Sequence, residues 1–300
     1  MMSESSANKH LPVLEKEVIQ AFMEQVRTPI RFLDGTLGRG GHMQSILKTF
    51  PSSKIVCFDK DQQAIQFAQE TFNSWITAGR LQLINDDFKN LSKHGLGLFD
   101  GALFDLGVSS PQLDQAERGF SFMHDGPLDM RMSTEDEVTA EEIVNTYEEK
   151  ELSDIFYHWG EIRMPNRVVR AIVHDRKANP FKTTKQLASL IERVEGWKKK
   201  GSHPATHFFM ALRIAVNGEL EGLEKFIEDM PTFLEPGARL LFISFHSLED
   251  RIVKTVFRRM NKNVGTIINK KVIISGDEEL EINPRSRSAK LRIFERGGVK

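Results

Sequence analysis

The chain has 300 residues, 40% apolar and 28% charged, the balance of a soluble globular protein, and is long enough for one large domain or two ordinary ones. No apolar run approaches the roughly 18 residues of a membrane span, and the polar stretch Met1–Lys9 lacks the apolar centre of a signal peptide, so a cytoplasmic protein is expected. A single cysteine, Cys57, excludes an internal disulfide and a cysteine-clustered zinc site, and a net charge of −1 argues against purely electrostatic nucleic-acid binding.

In chain order, Leu14 to Val26 places Val18, Ile19, Phe22, Met23 and Val26 on one face of a predicted helix. A short apolar strand, Ile30 to Asp34, runs into a glycine-rich turn and a helix through Ile46 and Leu47. Ile55 to Asp59 is a second such strand, followed by a helix carrying Ala64, Ile65, Phe67 and Ala68, then strands at Leu81–Ile84 and Ala102–Leu106. Continuous apolar strands alternating with amphipathic helices predict a parallel sheet covered on both faces. The next strand of this quality, Arg239–Phe245, lies about 130 residues further on, far beyond a normal crossover. The stretch between reads as helical, with Leu152, Ile155, Phe156 and Trp159 and then Leu187, Leu190, Ile191 and Val194 at helical spacing. Thr139…Glu142 and Thr183…Gln186 look like capping boxes. Pro111–Met132 has no period but holds Phe120, Phe122, Met123, Leu128, Met130 and Met132, which suits a packed active-site loop. Leu220, Leu223, Phe226 and Ile227 predict the returning helix, with Pro236-Gly237 as the turn. The expected organisation is therefore a discontinuous sheet domain, 1–112 and 217–300, interrupted by a helical insert, 113–216, for substrate recognition.

The strongest local signal is Asp34-Gly35-Thr36-Leu37-Gly38-Arg39-Gly40-Gly41-His42, between a strand and a helix. A dinucleotide fingerprint needs a third glycine where Met43 stands, which disfavours a nicotinamide enzyme. The pattern D-x-x-x-G-x-G instead resembles the first motif of class I methyltransferases, in which glycines let the backbone approach the ligand. Asp59 ends the second strand, where an acid accepts hydrogen bonds from ribose hydroxyls. Asp87 and Phe88 follow the third strand, placed to meet an adenine, and Asp105 ends the fourth, opening Asp105-Leu106-Gly107-Val108-Ser109-Ser110-Pro111-Gln112 at the acceptor position. Cys57 lies within a strand and reads as core. Transfer to ring carbon needs a thiolate nucleophile, so direct transfer to nitrogen or oxygen is preferred. His42, His203, His207 and His246 share no metal-ligand spacing, so no metal is expected. His246-Ser247 reads either as a pocket group or, through Ser247…Asp250, as a helix cap.

Longer runs carry a more specific resemblance. Asp105–Asp114, Glu117–Phe122, Asp125–Met132, Phe245–Arg251, Asn283–Ser288 and His10–Leu14 are similar to the RsmH (MraW) family, over about His10 to Arg296. The resemblance implies a class I S-adenosylmethionine-dependent methyltransferase with an inserted helical domain. Its implied reaction is methylation of a cytosine N4 amine in bacterial small-subunit ribosomal RNA, in the decoding region. It implies cofactor contacts at Gly40, Gly41, His42, Asp59, Phe88, Asp105 and Gln112. Asp105 and Ser110 are the candidate catalytic groups, as acceptors of the amine N–H groups. Ribosomal RNA within an assembled or nearly assembled subunit is the expected partner, with no membrane and an open oligomeric state. The rivals are an amino-methyltransferase acting on DNA or another RNA, and a non-catalytic cofactor-binding assembly protein. His207, Pro165 and Asn166 depart from the family pattern within the insert.

Charge adds a last expectation. Arg251–Lys300 holds thirteen Lys and Arg against five Asp and Glu, a balance of +8 on a body of −9. Arg285, Arg287, Lys290 and Arg292 are the candidate RNA contacts. They flank an expected edge strand, Leu291–Phe294, with Arg285 and Arg287 on one side of extended chain, and the alternative is pairing with Glu278, Glu279 and Glu281.

Overall fold

The computed structural model describes residues 12–196 and 203–298, and so leaves His10 and Leu11 of the similar N-terminal run outside. The chain forms two compact units, 1–107 with 222–300, and 108–221. Each boundary lies five residues outside the expected insert. Among the described residues no helix is long and apolar enough to cross a membrane.

The first unit opens with α1 (Glu15–Met23), β1 (Arg31–Asp34), α2 (Gly41–Thr49), β2 (Lys54–Asp59), α3 (Gln62–Thr71), the short α4 (Asn73–Thr77), β3 (Leu81–Asn85) and β4 (Phe99–Asp105). The second unit supplies α5 (Ser110–Asp114), α6 (Ala140–Thr146), α7 (Glu149–His158), α8 (Asn166–Asp175), α9 (Thr184–Glu195) and α10 (Thr206–Asn217). The chain then returns through α11 (Leu223–Asp229), β5 (Leu234–Ser244), α12 (Ser247–Met260), β6 (Gly265–Ile267), α13 (Asp277–Ile282) and β7 (Lys290–Arg296). The seven strands form one sheet in the order β3-β2-β1-β4-β5-β7-β6. β1 to β5 are parallel and β7 runs antiparallel between β5 and β6. This is the mostly parallel sheet of the class I methyltransferase fold. Its order reverses between β1 and β4, so the carboxyl ends of these strands flank the crevice where ligands bind in such sheets.

Four expectations need correction. α1 ends at Met23, leaving Met23 64% and Val26 92% exposed. The cause is tertiary: buried Arg239 of β5 donates to the carbonyls of Ala21 (2.6 Å) and Glu24 (3.3 Å), satisfying the helix end there. Pro236-Gly237 lies inside β5, where the pairing with β4 shifts register between Phe99 and Gly101 and Gly237 takes φ 82°. β7 is not the sheet edge, because the three-residue β6 covers it. Residues 284–288 form a 3₁₀ turn, so Arg285 and Arg287 do not lie on extended chain.

The second unit has its own core, built from α6 to α10 and the irregular segment before them. Thr183 and Gln186 cap α9 reciprocally (3.1 and 3.4 Å), and Thr139 accepts from the Glu142 amide (3.1 Å). The Pro111–Met132 segment is packed, with Phe120, Leu128 and Met130 buried. Buried Arg118 holds it by donating to the Arg131 and Met132 carbonyls (both 3.0 Å), and Asn217 bonds Met130 and Met132 (2.8 and 2.7 Å). His207 turns to the Gly160 carbonyl (3.1 Å), within this unit.

Under the sheet of the first unit, Phe104 on β4 stacks on Phe242 of β5 (4.8 Å between centroids) and meets Phe226 of α11 edge-on (5.1 Å) and Phe88 (5.2 Å). A buried ring of this kind has no smaller substitute that refills its space. Phe104→Ala is expected to cost about 3–5 kcal/mol in urea unfolding of this unit; a loss below about 1 kcal/mol would show that the aromatic cluster is not central to it.

Candidate active site

The turn after β1 is laced to both neighbouring strands. Asp34 is buried, and its Oδ1 accepts from the Thr36 amide (3.0 Å). The Thr36 hydroxyl accepts from the Asp105 amide at the end of β4 (2.6 Å), and the Leu37 amide donates to the Phe58 carbonyl on β2 (2.9 Å). The Gly38 amide then donates to Asp59 Oδ2 (2.7 Å), while Asp59 Oδ1 takes the Asp61 amide (2.8 Å). Gly40 stands at φ 74°, and a Cβ there would lie 2.7 Å from the Phe72 ring and 2.9 Å from Met43. Met43 is fully buried, so α2 rides on a side chain where a dinucleotide fold would place a third glycine. Gly41 starts α2 against Pro12, which a Cβ would meet at 2.8 Å.

His42, in the first turn of α2, is 7% exposed, and its Nε2 lies 3.6 Å from Asp105 Oδ2. Neither ring nitrogen has a hydrogen-bond partner, and Asp105 Oδ1 is also buried without one. Phe88 opens a 3₁₀ turn after β3, its ring set against Phe104 and Phe226, while Asp87 caps that turn by accepting from the Lys89 amide (2.9 Å). Thus Asp34, Gly38, Gly40, His42, Asp59 and Asp105 converge at the carboxyl ends of β1, β2 and β4. Asp34 and Thr36 were missed as site residues; the signal available was their spacing, an acid and a hydroxyl flanking Gly35, whose added Cβ would fall 2.2 Å from Phe104.

Ser110 and Gln112 fall in α5, within the second unit. Gln112 is buried and its Oε1 accepts from the Ser109 amide (2.9 Å). At the end of β5, buried Glu249 accepts the amides of Phe245 (2.9 Å) and His246 (3.4 Å) and approaches His246 Nε2 at 3.1 Å. Glu249, not Asp250, therefore bonds the chain entering α12. Asp250 instead binds Arg292 (2.6 Å) and approaches Lys290 (3.8 Å). Arg285 and Arg287 are exposed, and Glu278 and Glu279 face Lys16 (3.7 Å) and the Leu14 amide (2.8 Å).

Burial dominates the acid–base properties. It raises Asp34 to about 6, against the opposing pull of His42, and Asp59 to about 7, against its two amide bonds. It also pushes the Cys57 thiol well up, so this core cysteine is no nucleophile.

A model of the MraW methylase family matches residues 7–297. A ribosomal RNA small subunit methyltransferase H of Bdellovibrio bacteriovorus is 53% identical over 289 residues, covering 96% of this chain and 88% of that protein. The protein of the same name from a Cyanothece species is 47% identical over 287 residues (96% and 94%), and that of Halothermothrix orenii 42% over 311 (96% and 98%).

Because the folded state binds protons at Asp34 and Asp59 more tightly than the unfolded chain does, it takes up protons between about pH 4 and pH 7. The stability contribution of both groups therefore falls as pH rises through this window. His42, raised by its carboxylate neighbours, contributes in the same direction. Urea midpoints of the ligand-free protein should decrease from pH 5 to pH 8; midpoints that rise steadily across that range would contradict these assignments.

Proposed function

Since the chain belongs to the MraW methylase family, we propose that it transfers a methyl group from S-adenosylmethionine to the N4 amine of a cytidine in bacterial small-subunit ribosomal RNA. The observation that carries the chemistry is the buried, unpartnered oxygen of Asp105 beside the glycine turn. An orphaned carboxylate oxygen and a turn stripped of side chains suit a ligand that is cationic and rich in hydrogen-bond donors.

Gly40 and Gly41 would admit the cofactor close to backbone, Asp59 would take its ribose hydroxyls on the lone pairs left by two amides, and Phe88 would offer a face to the adenine. His42 and Gln112 enter as cofactor contacts through the resemblance, and Ser110 as a hydroxyl acceptor through its place at the start of α5, soon after β4. When bound, S-adenosylmethionine supplies a methyl group activated by its sulfonium.

Asp105 would accept an amine N–H, orient the nitrogen and offset the positive charge that develops on it. No covalent intermediate is needed for an exocyclic amine, in keeping with the inert Cys57. A paired cytosine would first leave its stack. We place the reaction in the cytoplasm, on an assembled or nearly assembled subunit, with the helical unit recognising the substrate and the exposed Arg285 and Arg287 meeting phosphates. Lys290 and Arg292 would contribute less, because Asp250 already holds them. Tritium transfer to isolated small subunits, free RNA and DNA tests the reading, and transfer to DNA alone would overturn it.

Asp105→Asn is expected to lower turnover about 10²–10³-fold with less than about threefold change in RNA affinity. Equal losses in both would make Asp105 a structural residue. For the tail, Arg285→Ala combined with Arg287→Ala should flatten the salt dependence of RNA binding by up to about 0.7–0.9 per lost contact, with cofactor affinity unchanged. A double variant with wild-type salt dependence would remove the tail from the RNA interface.

A further inference from the structure

We infer that the exposed face of α8 is a phosphate-binding surface, along which the helical unit holds the sugar–phosphate backbone of the substrate RNA. The inference rests on the reading above that the substrate is RNA. Arg167, Arg170 and His174 recur at i, i+3 and i+7 in α8, with Arg163 just before the helix and Lys177 just after it, and all five are exposed. From Arg163 to Lys177 the chain holds five Lys and Arg against one acid, Asp175. Asp175 bonds His174 Nδ1 (2.9 Å) and Arg193 (2.6 Å), and among the described residues no carboxylate pairs with Arg163, Arg167, Arg170 or Lys177. Arg167 gives one nitrogen to the Val194 carbonyl (2.9 Å) and Arg170 its Nε to the Asn166 carbonyl (3.3 Å). A guanidinium carries five N–H donors, so most of theirs stay available. Arg176 is different: it braces the unit from within, donating to the Val144 and Tyr147 carbonyls (2.9 and 2.8 Å).

The shape of this charge selects its partner. Val168, Val169 and Ile172 on the opposite face of α8 are fully buried in the core of the unit, so no apolar face remains to enter a bilayer. A single small anion needs donors that converge on one point, whereas these cations are strung out, with Arg167 and His174 about 10 Å apart along the helix axis. A strand of repeating phosphates meets such a row one group at a time. No acid stands in the first turn of α8, so the positive end of the helix adds to the same field. Met164, 78% exposed between Arg163 and Pro165, offers an apolar contact for a sugar or base beside the cations. The departures from the family pattern leave the row intact, since Pro165 is buried at the helix start and Asn166 accepts from the Ser153 hydroxyl of α7 (2.9 Å).

The test combines Arg163→Gln, Arg167→Gln and Arg170→Gln in the full chain. Binding to unmethylated small subunits and to transcribed small-subunit RNA is followed from about 50 to about 200 mM salt. The salt dependence of the triple variant should be shallower by about 2, at up to about 0.7–0.9 per lost contact, and its affinity at about 100 mM salt lower by about tenfold or more. The KM for subunits should rise by a similar factor, while the cofactor Kd by calorimetry changes less than about twofold. Lysine at the same three positions should keep the wild-type salt dependence, because a lysine also binds phosphate, as a point charge. Wild-type binding in the triple glutamine variant, or an equal loss in the triple lysine variant, would overturn the inference. So would a loss seen with whole subunits and not with transcribed RNA, which would assign the face to an acidic protein of the subunit. If the triple glutamine variant does not fold, Arg163→Gln and Arg170→Gln singly, each expected to flatten the slope by up to about 0.7–0.9, decide the matter. A wild-type protein that binds neither subunits nor RNA overturns the RNA reading itself; a wild type that binds while the variant matches it overturns the α8 surface alone.

Discussion

Asp59 accepts the amides of Gly38 and Asp61, and through these two bonds it ties the glycine turn after β1 to the end of β2. The turn depends on it. With Gly38 held from one side, Thr36 reaches the Asp105 amide on the other, and α2 starts at a fixed point over the sheet. The cost of the arrangement is electrostatic, since burial raises both Asp59 and Asp34 well above the ordinary carboxylate range. A protein selected for stability alone would not gather three aspartates at adjacent strand ends. A protein that must receive a cationic ligand there has a reason to.

The same logic separates structural from available charge elsewhere. The excess of Lys and Arg in the last fifty residues looks uniform on paper. In the fold, Asp250 takes Arg292 and approaches Lys290, and Arg259 bonds Glu224 and Glu228. Arg285 and Arg287 lie on an exposed 3₁₀ turn, so the basic residues of this stretch differ in what they present to a polyanion. Arg239 and Arg118 make a related point: each is buried and donates to backbone carbonyls, ending α1 in one case and bracing the Pro111–Met132 segment in the other. The helical unit accordingly holds an irregular segment in place with polar staples as well as with Phe120, Leu128 and Met130.

Much of this was legible beforehand. Apolar runs marked β1 to β5, because strands buried on both faces must be apolar throughout. The residues at their carboxyl ends marked the candidate site, because the chain must turn there and glycine, aspartate and threonine turn it. Helical spacing and the Thr183–Gln186 box marked the second unit, since each is a local rule needing only neighbours in sequence. What local rules cannot reach is a partner distant in the sequence. The end of α1 depends on Arg239, the covering of β7 depends on β6, and the fate of Arg292 depends on Asp250. The pairing of His42 with Asp105 belongs to the same class: both residues stood in motifs, but that they face each other, buried and otherwise unpartnered, follows only from packing α2 beside the end of β4. The amino-acid order alone determined the fold class, the family and the strand ends where chemistry gathers, because these follow from periodicity and short motifs. Tertiary structure alone decided which charges are spent on the fold and which remain for a ligand, because burial and distance set the energy of a charge.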